Sequence, residues 1–180
     1  LAGVAGLFVV LNPGAKPRTA VAADPKRTEH TMFGGTPGRN MVNLADKFGA
    51  AQLIAAEGAE KPADAAIKWQ AELGSRAYGG PIVAGGKVFV GTNNDRPRNK
   101  RDEKKNADGD VEPVDMGVLM CFDEATGKFL WQAVHDKLPS GQVNDWPKEG
   151  ICSTPTVEGD RVYYVSNRCT VVAADVNGLA

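Results

Sequence analysis

The sequence predicts an all-β chain built from repeated four-stranded antiparallel units. Three observations carry that expectation. Residues 81–93, PIVAGGKVFVGTN, return as residues 155–167, PTVEGDRVYYVSN, at an offset of 74. Each copy consists of two apolar runs around a short glycine-containing turn, the pattern of a β-hairpin. An Asp, a Gly and a Trp then recur around the hairpins.

The superposition pairs Pro81 with Pro155, Val83 with Val157, Gly85 with Gly159, Val88 with Val162 and Asn93 with Asn167. Lys87 meets Arg161 and Phe89 meets Tyr163, exchanges that keep the character of each position. A tryptophan precedes each copy, Trp69 and Trp131, and a strand ending in Asp follows each, at residues 118–123 and 171–175. After Asp123 the chain turns through Glu124-Ala-Thr126-Gly127 into a strand carrying Trp131; after Asp175 it turns through Asn177-Gly178. The unit is therefore hairpin, strand, Asp-to-Gly turn, and strand with Trp.

Cys121 to Trp131, CFDEATGKFLW, resembles the Ala-x-Asp-x-x-Thr-Gly-x-x-x-Trp docking motif of the pyrroloquinoline-quinone-like (PQQ-like) β-propeller repeat, with Cys121 in the small-residue place. Ala173-x-Asp175 resembles the start of a second copy, and residues 32–43, MFGGTPGRNMVN, resemble the lead-in of bacterial members, those of planctomycetes especially. The resemblance spans roughly residues 67–180. It implies a β-propeller of four-stranded antiparallel blades in which Asp123, Thr126, Gly127, Trp131 and Asp175 form a structural docking motif, the Trp packing on the neighbouring blade's turn. Another β-sandwich or barrel gives no reason for Asp, Gly and Trp to recur in register. A propeller closes with about four to eight blades. Residues 67–180 supply about two, so an incomplete N-terminal fragment is expected.

Two function classes follow from the resemblance. One is an exported, non-catalytic propeller that docks other proteins of the cell envelope, similar to the scaffold lipoprotein of the outer-membrane β-barrel assembly machinery. The other is a PQQ- and calcium-dependent quinoprotein dehydrogenase oxidising an alcohol or sugar. Dehydrogenases of that superfamily commonly carry an adjacent Cys-Cys pair, an Asp base, and Glu and Asn calcium ligands. Here the three cysteines are far apart in sequence, and no residue maps securely onto a cofactor site. The reading therefore leans to the scaffold, with no catalytic, cofactor-binding or metal-binding residue assigned. Fold alone does not fix function.

The flanking segments read as follows. Residues 1–22 look like a secretory signal: an apolar run at residues 1–11, too short to span a bilayer, then Ala20-Val-Ala22 ahead of a cleavage point. A retained anchor or a buried apolar strand are the alternatives, and such an anchor would be the chain's one attachment to a membrane. Residues 23–66 form a lead-in with a possible short helix over residues 44–66, which Pro62 should end. His30 is expected to fray there. Export places the protein in the periplasm or another extracytoplasmic space.

If residues 158–161 form the second hairpin turn, positions summing to 319 face each other. Cys152 then opposes Asn167, with Cys169 two residues further along. Diagonal neighbours sit near the upper limit for bridging, about 7 Å between Cα atoms, so the alternatives are a Cys152–Cys169 disulfide closed by a twist or bulge and two reduced, buried thiols. Cys121 reads as a small core residue.

Two insertions attract attention, because binding residues concentrate on loops held by a scaffold. In residues 94–116, the stretch 96–105 holds six Lys or Arg against two acids, and Asn106, Asp108 and Asp110 alternate as oxygen ligands do in calcium loops. A solvated polar loop is the simpler reading of both. The second insertion, residues 133–153, carries His135-Asp136, read as a surface or turn feature for want of a nucleophile placed against it. The net charge of −1 offers no global field for nucleic acid or an anionic membrane, and 21 glycines and 11 prolines suit a turn-rich β protein.

Overall fold

The computed structural model describes residues 29–38, 68–139 and 146–178. The signal-like segment 1–22 and the helix expected at 44–66 lie outside the described residues. Within them the chain is all-β: β1 (Ile82–Ala84), β2 (Lys87–Asn93), β3 (Glu103–Lys105), β4 (Val111–Pro113), β5 (Met116–Asp123), β6 (Phe129–Asp136), β7 (Thr156–Glu158), β8 (Arg161–Val165) and β9 (Val171–Asp175). One sheet runs β1-β2-β5-β6 and another β7-β8-β9, both antiparallel, with β3-β4 a separate hairpin. The two larger sheets are blades of a β-propeller, the first with four described strands and the second with three.

The repeat in sequence is a repeat in register. Val83 pairs with Val88 in the first sheet, and Val157 pairs with Val162 in the second. Gly85 and Gly86 take φ of 55° and 77°, the two positive values that a type I′ turn needs. In the second hairpin only Gly159 is positive, at 60°, as in a type II′ turn.

β5 is buried along nearly its whole length, which explains its unbroken apolar run MGVLMCFD. Alternation sends its side chains to two cores. Leu119 and Cys121 join Ile82 and Phe89 against Val162 and Tyr164 of the second sheet, sealed by Ile151. Val118, Met120 and Phe122 face the other way, packing with Val90, Trp69, Ala71 and Leu73. Phe89 and Leu119 are fully buried, each worth about 1.5–3 kcal/mol against exposure. Ile151 reaches the first core because Gly91 leaves room: a Cβ there would lie 2.7 Å from the Ile151 carbonyl oxygen.

Three expectations change. Residues 94–116 are not simply a loop: they hold a single 3-10 turn at Lys100–Asp102 and the β3–β4 hairpin, which the Asn94 side chain ties down by donating to the Asp102 and Val114 carbonyls at 2.9 Å each. The second insertion starts after Asp136 rather than at Ala133, because Ala133–Asp136 stay paired with Leu119–Met116. His30 does not fray. It forms an antiparallel bridge with Val83, with N–H···O distances of 2.9 and 2.8 Å.

Candidate functional site: tryptophan seats between the sheets

The turn after β5 is built by its own side chains. Asp123 Oδ1 accepts the Thr126 amide at 2.9 Å and the Thr126 hydroxyl at 2.7 Å. The Gly127 N–H closes the turn on the Asp123 carbonyl at 2.8 Å, with Gly127 at a φ of 71°. A short carboxylate that caps local amides and a glycine that tolerates positive φ make such a turn rigid. The indole of Trp69 lies on it. Its Nε1–H donates to the Glu124 carbonyl at 2.8 Å, and a Cβ on Gly127 would come within 2.6 Å of Trp69 Cδ2.

The turn after β9 reproduces this with different residues. Asp175 Oδ1 accepts the Asn177 amide at 2.8 Å and its side-chain amide at 3.0 Å. Gly178 closes the turn on the Asp175 carbonyl at 2.9 Å, with a φ of 74°. Trp131, carried by β6 of the first sheet, donates from Nε1 to the Val176 carbonyl at 3.1 Å, and a Cβ on Gly178 would lie 2.5 Å from its Cγ. Its ring also meets Phe89 edge-on, centroids 5.9 Å apart. Even the support is repeated: Glu124 N–H reaches Gly86 and Val176 N–H reaches Asp160, both at 3.0 Å, and residues 86 and 160 are related by the 74-residue offset.

Asp123, Thr126 and Gly127 thus come together with Trp69, whereas Trp131 meets the turn begun by Asp175. The docking partners Glu124 and Val176 carry no signature of their own, since each meets the indole only through its carbonyl. A second contact went unassigned in the sequence although its residues were aligned. Buried Asn93 accepts the Ser75 amide at 2.9 Å and donates to the Lys148 carbonyl; Asn167 donates to the Asp136 carbonyl at 3.1 Å. Each ties a strand end to a distant segment.

His135 is not a surface or turn residue. It sits in β6, half-buried, with Nε2 hydrogen-bonded at 2.8 Å to the phenol of Tyr164 in the second sheet. Burial pushes the Tyr164 phenol up to about 12, so it stays protonated. Burial, then Arg168, lowers the His135 pKa below its ordinary 6.5, against an opposing pull from Asp136. The unfolded chain therefore takes this proton first. The associated stability is whole above about pH 6.5 and is lost as pH falls toward and through the lower folded pKa. The stability advantage of wild type over His135→Gln should be constant above that point and shrink on acidification. Denaturant midpoints measured across pH check this, and a flat difference in acid contradicts it.

The remaining candidates are placed as follows. Cys121 is fully buried, its thiol pushed up to about 12 by desolvation. Cys152 and Cys169, both exposed thiols, line one depression of about 200 Å³ with Trp146, Glu149 and Ser166. Cys169 takes a φ of 57° in the β8–β9 turn, the place that Gly109 fills in the β3–β4 turn. Asn106 Oδ1 is used within its turn, accepting the amides of Asp108 and Asp110 at 3.0 and 2.9 Å. In the basic insertion, the Arg98 guanidinium lies 4.5 Å from the Phe129 ring centroid and donates to the Glu72 carbonyl at 2.6 Å. Among the described residues no helix is long and apolar enough to cross a membrane.

No curated protein matches the chain. A family model does: the PQQ repeat model described as outer membrane protein assembly factor BamB matches residues 61–179, which takes in both sheets and both tryptophan seats. The chain belongs to this PQQ-like repeat family of β-propellers.

Proposed function

We propose that the protein is an exported, non-catalytic propeller scaffold that docks other proteins of the bacterial cell envelope. The observation that carries this reading is how the family motif is used. Asp123 and Thr126 bond each other, Gly127 receives Trp69, and Trp131 donates to a neighbouring backbone carbonyl. The motif's polar groups shape the turn and, through Trp131, hold the first sheet to the second, and what remains for function is a rigid body with loops presented around it. The family's description as an outer-membrane assembly factor supports an extracytoplasmic location and protein partners. The signal-like segment 1–22 and the bacterial lead-in motif fit the same setting.

An oxidising compartment also suits a Cys152–Cys169 disulfide, which would tie the segment between the sheets to the β8–β9 turn. Both cysteines line the same depression, and the Ser153 hydroxyl already joins these segments, donating to the Val165 carbonyl at 2.8 Å and accepting its amide at 3.0 Å.

One preparation tests this. The full-length protein, purified from its native source and denatured, should release no PQQ, and should take none up when PQQ and calcium are supplied beforehand. Its non-reducing digest should contain a peptide linking Cys152 to Cys169. Stoichiometric quinone would make the protein a dehydrogenase and overturn the scaffold reading. Recovery of both cysteines as thiols would remove the disulfide alone.

A further inference from the structure

Val83 and Val157 are equivalent under the 74-residue offset, and each lies at the centre of the first strand of its sheet. In an antiparallel ladder a residue's N–H and C=O point to the same side. Ile82 and Ala84 flank Val83, and the Val83 N–H points away from β2. The same holds for Val157 and β8. Both sheets therefore present one amide along their first-strand edge, away from β2 in one and away from β8 in the other. An exposed edge of this kind accepts any extended chain that offers carbonyls at the right spacing.

Two consecutive residues of the lead-in meet these two amides. The His30 carbonyl accepts the Val83 N–H at 2.8 Å, and the Thr31 carbonyl accepts the Val157 N–H at 2.7 Å. The His30 N–H returns a bond to the Val83 carbonyl at 2.9 Å, and the Glu29 carboxylate accepts the Gly85 amide at 3.0 Å. Just beyond, the chain turns back through Gly34 and Gly35, both at positive φ, and the Gly35 N–H closes on Met32. One short segment, more than fifty residues before the first valine it contacts, is thus bonded to both sheets.

We propose that the first-strand edges of the successive sheets form a binding groove for an extended peptide, and that Glu29–Thr31 is its resident occupant. Recognition is by backbone, so the groove selects an extended conformation, with Glu29 fixing the register at the β1–β2 turn. In a closed propeller these first strands face the central channel. The lead-in then covers an edge that would otherwise recruit a foreign strand, and protein partners dock elsewhere. This inference is independent of the scaffold reading and stands whether or not quinone is found.

Amide hydrogen exchange on the full-length protein tests it. In wild type the Val83 and Val157 amides should be protected. His30→Pro removes the N–H that bonds Val83 and displaces the strand. Both amides should then exchange about tenfold faster or more, while those between β2 and β5 keep their rates. A synthetic peptide of residues 29–38, added in excess to the variant, should slow both amides again. Unprotected valine amides in wild type overturn the proposal without any variant, so a His30→Pro chain that fails to fold does not shelter it. Unchanged rates in the folded variant, or no slowing by the peptide, overturn it as well.

Discussion

Trp131→Ala should lower the unfolding free energy of the full-length protein by about 3 kcal/mol, the lower end of the range for truncating a large core aromatic, because the indole packs against the core but is only partly buried. Its indole stands between the two sheets, edge-on to fully buried Phe89 and packed against the core that holds Leu119 and Val162. Removing the ring empties that site, and the β9 turn cannot close over it, since Asp175 and Gly178 hold the turn in shape. The Val176 carbonyl also loses the indole N–H that it accepts at 3.1 Å. Denaturant unfolding reads the loss. A change under about 1 kcal/mol would mean that Trp131 does not hold the sheets together.

Gly178→Ala should cost about 2–5 kcal/mol for two separable reasons. The residue has a φ of 74°, where an L side chain is disfavoured by roughly 1–2 kcal/mol. The new methyl would also lie 2.5 Å from Trp131 Cγ, forcing the indole out of its seat at a cost of about 1–3 kcal/mol. Gly85→Ala is the control. Gly85 has a φ of 55°, and a methyl added there would meet nothing within 4 Å, so only the conformational part should appear.

Much of the fold was legible because its determinants are local. A glycine-containing turn between apolar runs is a hairpin wherever it occurs, and the recurrence of Val83 and Val157 in one register followed from the 74-residue offset. The Asp123–Gly127 turn was readable for the same reason, since Asp123 bonds Thr126 only three residues away. What escaped depends on segments remote in sequence. Trp69 was seen as a marker before a hairpin, but its acceptor at Glu124 lies 55 residues on. His135 looked like an isolated polar residue because Tyr164, its partner, belongs to the next sheet. His30 gave no sign of a strand, being a single bridge whose bonds are all to backbone. The β3–β4 hairpin was hidden by its charge: Lys104 and Glu112 pair across it, 3.1 Å apart, in place of an apolar alternation.

The most direct test of the inter-sheet seat combines the two substitutions above in a double-mutant cycle. If Gly178 is glycine because the Trp131 ring rests on it, then Gly178→Ala in a Trp131→Ala background should cost only the conformational part, as at Gly85. The cycle should show a coupling of about 1–3 kcal/mol between the positions. Additive effects, with Gly178→Ala costing as much without the indole as with it, would mean that the tryptophan and the turn act independently, and would contradict the account of how one blade is held to the next.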